Sequence, residues 1–156
     1  RRGVIVEKKL RKTLPGGKFE DVPAARSRVM KAIRSKGNRT TEKRLRALMV
    51  RHGIRGWVMH PRSVPGTPEF YFATERLAVF TDGCFWHGCP DCCGRKTMTN
   101  RAFWEGRIEL NRQRDRRTDD RLAEAGIRSL RFWEHELKLD PSSCIKKLKQ
   151  LLILKS

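Results

Sequence analysis

Apolar residues recur every three or four positions in four segments of the chain, and this spacing predicts amphipathic helices. Thr40 or Thr41 is expected to cap the second helix, because a hydroxyl can accept from the free backbone amides of the first turn. Gly126 ends the third helix, and Asp140 precedes the fourth. The predicted helices cover residues 24–35, 41–52, 101–125 and 141 onward.

Short runs rich in β-branched and aromatic residues lie between and after these helices, and they predict strands. The turn-rich segment Pro61–Pro68 separates the first two runs, and residues 81–100 are expected to form an irregular, cysteine-rich loop. The predicted fold class is therefore α/β, with a small mixed β-sheet flanked by helices. The runs cover residues 57–59, 69–72, 77–80 and 127–133.

The charge of the chain predicts a polyanionic partner. Its 156 residues suit one domain, and 36 Lys and Arg against 17 Asp and Glu give a formal charge of +19. Nucleic acid is the foremost candidate, because neutralised phosphates release counterions, and a basic surface without a ligand is the alternative. We expect residues 1–23 to form a flexible basic arm and residues 24–156 the folded domain. No membrane partner and no nucleotide cofactor are predicted, and a monomer is expected.

A cluster of cysteines predicts a structural zinc site. Four of the five cysteines, at positions 84, 89, 92 and 93, lie within ten residues. Such clustering is typical of metal binding in the reducing cytoplasm rather than of disulfides. Zinc takes about four thiolate or imidazole ligands, and Cys89 and Cys92 have the usual spacing, with Cys84 near enough to join them. The fourth ligand is either Cys93 or a distant residue, for which His135 is the better candidate.

The segment Phe80–Pro90, with the sequence FTDGCFWHGCP, is the most informative in the chain. Further motifs stand before and after it: Arg26–Ile33, Thr41–Leu45, Pro65–Phe70, Thr99–Trp104, Asn111–Asp115 and Phe132–Leu137. Over about residues 26–137 these motifs resemble, in order and spacing, the very short patch repair endonucleases. Because several separate motifs agree in one register, the resemblance is specific.

The resemblance implies a restriction-endonuclease-like core of the PD-(D/E)xK type and a magnesium-dependent DNA endonuclease. Enzymes of this family nick one strand of double-stranded DNA, 5′ to the thymine of a T·G mismatch, which arises when 5-methylcytosine deaminates. A bacterial, nucleoid-associated protein is implied. Two alternatives remain open: a restriction-like nuclease that cuts both strands or modified DNA, and a weakly active zinc-containing DNA-binding module.

The resemblance also implies roles for particular residues. Magnesium would be held by Glu69 and the backbone carbonyl of Thr81, His87 would be the general base, Asp115 would orient it, and Glu42 would lie near the active site. These roles suit phosphodiester hydrolysis, which needs an activated water and stabilisation of negative charge. The family's zinc ligands correspond to Cys84 and His135 directly, and to Cys89 and Cys92 by spacing.

Two positions depart from the family pattern. Glu69 stands where the family usually has Asp, and it is one methylene longer, whereas magnesium demands near-ideal octahedral geometry. Asp82 stands where the best-known pattern has a histidine. We therefore hypothesise that Asp82 supplies the short carboxylate that Glu69 lacks.

Three aromatic residues, Phe85, Trp86 and Trp104, correspond to the family's wedge residues, which are pushed into the base stack. Burial in the core is the ordinary explanation for such side chains, but Gly83 and Gly88 flank the first two and favour an exposed loop. An apolar wedge unstacks a base step at a cost of about a few kcal/mol. A mismatched step opens more easily, so a wedge would favour damaged DNA.

Overall fold

A computed structural model describes residues 10, 12, 14, 39–93 and 100–154. The predicted helix at residues 24–35 and most of the predicted arm lie outside these residues. None of the described helices has the length and apolarity needed to cross a membrane. In chain order the elements are α1 (Arg39–Arg51), β1 (Trp57–Met59), β2 (Phe70–Phe72), β3 (Leu77–Asp82), α2 (Pro90–Cys93), α3 (Arg101–Glu124), β4 (Arg128–Trp133), α4 (Glu134–Leu139) and α5 (Pro141–Ile153).

The strands form one mixed sheet in the order β1-β2-β3-β4, which confirms the predicted fold class. β2 is antiparallel to β1 and β3, whereas β3 and β4 are parallel. Parallel neighbours need a crossover connection, and α3 provides it. β3 and β4 end together, with Asp82 opposite Trp133. The edge of the sheet at which these carboxyl ends lie runs across the strands. The antiparallel β2 begins at this same edge, which we call the site edge.

The side chains of β3 alternate between two apolar layers, and every residue of this strand is buried. Leu77 and Val79 belong to the larger core, in which residues of α1, α4 and α5 also pack. Ala78 and Phe80 point to the other face and pack with Leu122 of α3. The sheet is thus covered by helices on both faces, which explains the nearly continuous apolar sequence of its central strand.

Helix ends follow the sequence signals at the C-terminal side of the chain. The carboxylate of Asp140 accepts from the backbone N–H of Ser143 at 3.1 Å, which confirms Asp140 as the cap of α5. The predicted cap of α1 is wrong, because the helix already includes Arg39. Thr41 lies inside the first turn instead, and its buried hydroxyl has no hydrogen-bond partner among the described residues.

Three features differ from the prediction: the end of β3, the segment that follows β3, and the segment that follows β4. β3 continues to Asp82 instead of ending at Phe80, because pairing with β4 extends the ladder over two polar residues. The predicted irregular loop therefore begins later, and it contains the short helix α2. Helix α4 was not predicted, since six residues are too few for a periodic signal. The Glu136 carboxylate stabilises its start by accepting from the Trp133 backbone N–H at 2.8 Å.

Leu148 tests the packing of α5 on the sheet, because its side chain is fully buried in the larger core. We expect Leu148→Ala to lower the free energy of unfolding by about 2–5 kcal/mol, through lost burial and the cavity left behind. Leu139→Ala is the matched control, since Leu139 is 82% exposed and should change stability by less than about 0.5 kcal/mol. Urea unfolding followed by circular dichroism measures both, and equal losses would contradict this packing.

Candidate active site and metal centre

Polar side chains from several elements meet at the site edge. Glu69 directly precedes β2, Asp82 is the last residue of β3, and His135 is the second residue after β4. His60 follows β1, whose last residue pairs with the first residue of β2. Neighbouring strand ends therefore gather residues that lie far apart in the sequence.

Three cysteines and one histidine form a compact cluster at this edge. The Sγ atoms of Cys84, Cys89 and Cys92 lie 3.3, 3.5 and 3.6 Å from Nδ1 of His135. All four ligand atoms are within 4.8 Å of one another, an arrangement that can hold a metal ion. Burial raises the pKa of the Cys84 thiol to about 12, so the thiol keeps its proton unless a cation replaces it.

The parallel strands explain how the cluster forms. Cys84 and His135 each follow the end of a strand by two residues, and the two strand ends are paired. The backbone N–H of Cys89 donates to the carbonyl of Cys84 at 2.9 Å, which closes the loop between them. Helix α2 then carries Cys92 to the same point. Cys144 is a buried core residue, as expected, and the side chain of Cys93 lies outside the described part of the chain.

His87 forms the second group at the site edge. Its Nδ1 lies 2.5 Å from Oδ2 of Asp115 on α3, and 3.8 Å from Oδ1 of Asp82. Burial alone would raise the pKa of Asp115, but the hydrogen bond from His87 and the charges of His87, Arg131 and Arg114 together lower it. An ionised Asp115 accepts from Nδ1, so that whenever the ring is neutral its lone pair lies on Nε2.

Asp82 is paired with Arg131, a residue that the sequence analysis did not select. The Arg131 guanidinium donates to both carboxylate oxygens of Asp82 at 3.3 Å. Burial raises the pKa of Asp82, while the positive charges of His87 and Arg131 oppose that rise. The sequence did contain a signal for Arg131. Side chains alternate along a strand, so Arg131 must lie on the face opposite the apolar Leu130 and Phe132, which enter the core.

Glu69 lies between Thr81, near the end of β3, and a second acidic residue, Glu42. Its Oε2 accepts from the backbone N–H of Thr81 at 3.0 Å. Burial raises the pKa of Glu69, and the negative charges of Asp82 and Glu42 add to the rise. Glu42 itself contacts Nε2 of His60 at 3.1 Å. The hydroxyl of Thr81 is buried with no hydrogen-bond partner among the described residues, so this end of β3 holds polar atoms that a ligand could satisfy.

The predicted wedge residues form one aromatic cluster. Ring centroids are 5.2 Å apart for Phe85 and Trp86, 5.4 Å for Phe85 and Trp104, and 5.9 Å for Trp86 and Trp104. All three side chains are partly exposed, and they belong to neither of the two core clusters. The structure therefore brings them together at the surface, next to the metal cluster and His87.

Helix α3 holds the loop that carries Phe85 and Trp86 in place through two contacts that were not predicted from the sequence. The side-chain amide of Asn111 donates to the carbonyl of Trp86 at 2.7 Å, and Arg112 donates to that of Gly88 at 2.5 Å. Gly88 has a positive φ of 64°, and a Cβ there would lie 2.4 Å from Ile108. The loop can approach α3 this closely only with glycine at that position.

Comparisons with known proteins find relatives that match most of the chain. A family model described as DNA mismatch endonuclease Vsr matches residues 20–93. The type II nicking enzyme V.XorIIP of Xanthomonas oryzae pv. oryzae is 38% identical over 115 residues, which cover 74% of this chain and 83% of that enzyme. V.NaeI of Lentzea aerocolonigenes is 40% identical over 117 residues, covering 72% and 69%.

The DNA mismatch endonuclease Vsr of Escherichia coli is 37% identical over 115 residues, covering 74% of this chain and 72% of the enzyme. The similarity extends over most of both chains, and the family model ends within the cysteine cluster. The resemblance found in the sequence motifs is thereby confirmed. The chain belongs to the family of DNA mismatch endonuclease Vsr.

Proposed function

We propose that this protein is a magnesium-dependent DNA endonuclease that nicks one strand beside a T·G mismatch. The observation that carries the proposal is the convergence of Glu69 and the His87–Asp115 pair at one sheet edge. Membership of a family with mismatch-specific and nicking enzymes supports the reaction. A mixed sheet with helices on both faces agrees with a restriction-endonuclease-like core. We expect the enzyme to act as a monomer at the bacterial nucleoid.

Magnesium would be held by the carboxylate of Glu69 and the backbone carbonyl of Thr81. This donor set fits the ion, which prefers oxygen ligands. The hydroxyl of Thr81, which has no partner in the described part of the chain, adds a polar group at the same place. When bound, the ion stabilises the negative charge that develops on the phosphate. His87 takes the proton of the attacking water at Nε2, and Asp115 holds the ring in the tautomer that leaves this atom basic.

Zinc would be held by Cys84, Cys89, Cys92 and His135. An ion about 2.3 Å from sulfur and about 2.0 Å from nitrogen, at the centre of a tetrahedron, separates these atoms by about 3.5 Å. The three sulfur-to-nitrogen distances in the cluster, 3.3, 3.5 and 3.6 Å, fit that value. With four protein ligands, such a site has no open position for substrate, so its role is to stabilise the fold.

DNA would be bound by positive charge and recognised by the aromatic cluster. Helix α3 carries many arginines on its solvent face, and these would contact phosphates irrespective of sequence. Phe85 and Trp86 of the adjoining loop would enter the base stack together with Trp104, which lies in the first turn of α3. Because a mismatched step is easier to open, insertion there would select damaged DNA.

Zinc binding can be tested by elemental analysis. We expect about one zinc per purified chain, and we expect Cys84→Ser to lower both the zinc content and the melting temperature, because metal binding contributes to folding. Cys144→Ser is the matched control, since this buried cysteine lies outside the cluster and its replacement should leave the zinc in place. A folded, zinc-free wild-type protein would contradict the assignment, and zinc loss in Cys93→Ser would change the ligand set.

Catalysis can be tested with a labelled duplex that contains one T·G mismatch. Glu69→Ala should abolish nicking, and His87→Ala should slow it about 10²- to 10⁴-fold, because each removes a group that acts on the reacting phosphate or water. DNA affinity should hardly change, since phosphate contacts dominate it. Glu75→Ala, in the turn at the opposite edge of the sheet, serves as the control. Normal cleavage by Glu69→Ala would disprove the magnesium site.

The length of the acidic side chain at position 69 is a separate test. Glu69→Asp restores the residue that the family usually has, and it keeps the charge. If this site has adapted to glutamate, the shorter carboxylate should lower the nicking rate, because magnesium tolerates little displacement of its ligands. A higher rate in single-turnover assays would mean instead that the longer side chain is a handicap.

Mismatch recognition can be tested at Trp86. Trp86→Ala should remove most of the preference for T·G over matched duplex, since stacking of one aromatic on a base contributes about 1–3 kcal/mol. The salt dependence of binding should stay unchanged, because no phosphate contact is lost. Trp57→Ala is the control, as this ring packs against Phe70 beside the core and should affect stability alone. Full discrimination by a folded Trp86→Ala protein would sink the wedge assignment.

A further inference from the structure

Arg131 connects the two carboxylates that flank His87. Its guanidinium donates to both oxygens of Asp82 at 3.3 Å, and to the backbone carbonyl of Asp115 at 3.5 Å. Asp82 and Asp115 in turn lie 3.8 and 2.5 Å from Nδ1 of His87. Arg131 of β4 therefore contacts both Asp82 of β3 and Asp115 of α3, and these are the two acidic residues that contact the imidazole of His87.

The guanidinium of Arg131 is itself fixed from several sides. Arg131 is paired with Phe80 across β3 and β4, and its charge lies 4.4 Å from the centre of that ring. Asp119, one helical turn beyond Asp115 on α3, accepts from it at 3.0 Å. Only 22% of the side chain is exposed. A planar group held in this way has little freedom to leave Asp82 for another partner.

The group of Asp82, His87 and Asp115 has the composition of a possible cation site, since their ligand atoms lie within 4.8 Å of one another. Arg131 already provides the positive charge at this place, in contact with both oxygens of Asp82. The geometry therefore favours a role for Asp82 as the partner of Arg131 and His87, and it disfavours Asp82 as a ligand of magnesium.

We propose that Arg131 is a positioning residue for the nicking reaction, which holds Asp82 and Asp115 so that the ring of His87 keeps one orientation. The proposal rests on the proposed role of His87 as general base. Without Arg131, the buried Asp82 would lose the group that donates to both of its oxygens. The imidazole of His87, 3.8 Å away, would then be its nearest remaining partner among the described residues, and Asp82 would draw it away from Asp115. A small displacement of the base can lower the rate by up to about 100-fold.

The test measures kcat and KM for nicking of the mismatched duplex by Arg131→Leu under multiple turnover, together with thermal stability. We expect kcat to fall by about 10- to 100-fold while KM for the mismatched duplex changes little. Arg131→Lys keeps the positive charge and should recover part of kcat, and it replaces the leucine variant if that protein does not fold. A rise in KM alone would overturn the proposal, since it would indicate a phosphate contact.

A second variant tests whether Arg131 acts through Asp82. Asp82→Asn removes the carboxylate charge, so combining it with Arg131→Leu should recover kcat relative to Arg131→Leu alone. The control is Arg128→Leu, which removes another partly buried arginine of β4 that donates to the carbonyls of Glu75 and Leu151 at 3.0 Å each. It should lower the melting temperature and leave kcat unchanged. Equal loss of kcat in both arginine variants would overturn the proposal.

The role of His87 is tested separately in the same assay. If His87→Ala is inactive while a folded Arg131→Leu or Arg131→Lys protein nicks at the wild-type rate, only the positioning role is wrong. If His87→Ala nicks at the wild-type rate, the general-base assignment fails, and Arg131 positions nothing that acts in the reaction.

Discussion

The parallel pairing of β3 with β4 sets the positions of the groups at the site edge. It sets Asp82 opposite Trp133, and so it brings Cys84 and His135 together although they are 51 positions apart. The crossover that parallel pairing requires is helix α3, which packs on the sheet and delivers Asp115 to His87. The cysteine–histidine cluster and the His87–Asp115 pair are therefore two consequences of one strand register.

The loop between Cys84 and Cys89 links the cysteine–histidine cluster to His87. It carries Phe85, Trp86 and His87, and the cysteines at both of its ends contact the imidazole of His135. Asn111 fixes the middle of the loop to α3. A metal in the cluster would hold both ends of this segment, so the stability of the site and the position of His87 depend on each other.

Burial of acidic groups in a strongly basic protein is the main energetic cost of the site. Transfer of a carboxylate from water into a protein interior is unfavourable unless hydrogen bonds and opposite charges compensate. Each carboxylate of the site, buried in Asp82 and partly buried in Glu69 and Asp115, has such a partner: a backbone N–H for Glu69, Arg131 for Asp82 and His87 for Asp115. The negative charge is thus concentrated at one edge of the sheet, while the arginines of α3 remain on the surface.

Features that depend on neighbouring residues could be predicted from the sequence alone. These were the helix ends marked by Asp140 and Gly126, the β-branched and aromatic runs of the strands, the cysteine spacing and the family motifs. The end of β3, the carboxylate of Asp82 as partner of Arg131 and the backbone carbonyl of Trp86 as partner of Asn111 followed only from the folded chain. The reason is physical: a strand end or a buried polar contact is decided by a partner that is distant in sequence, whereas caps, turns and periodicity are decided within a few residues.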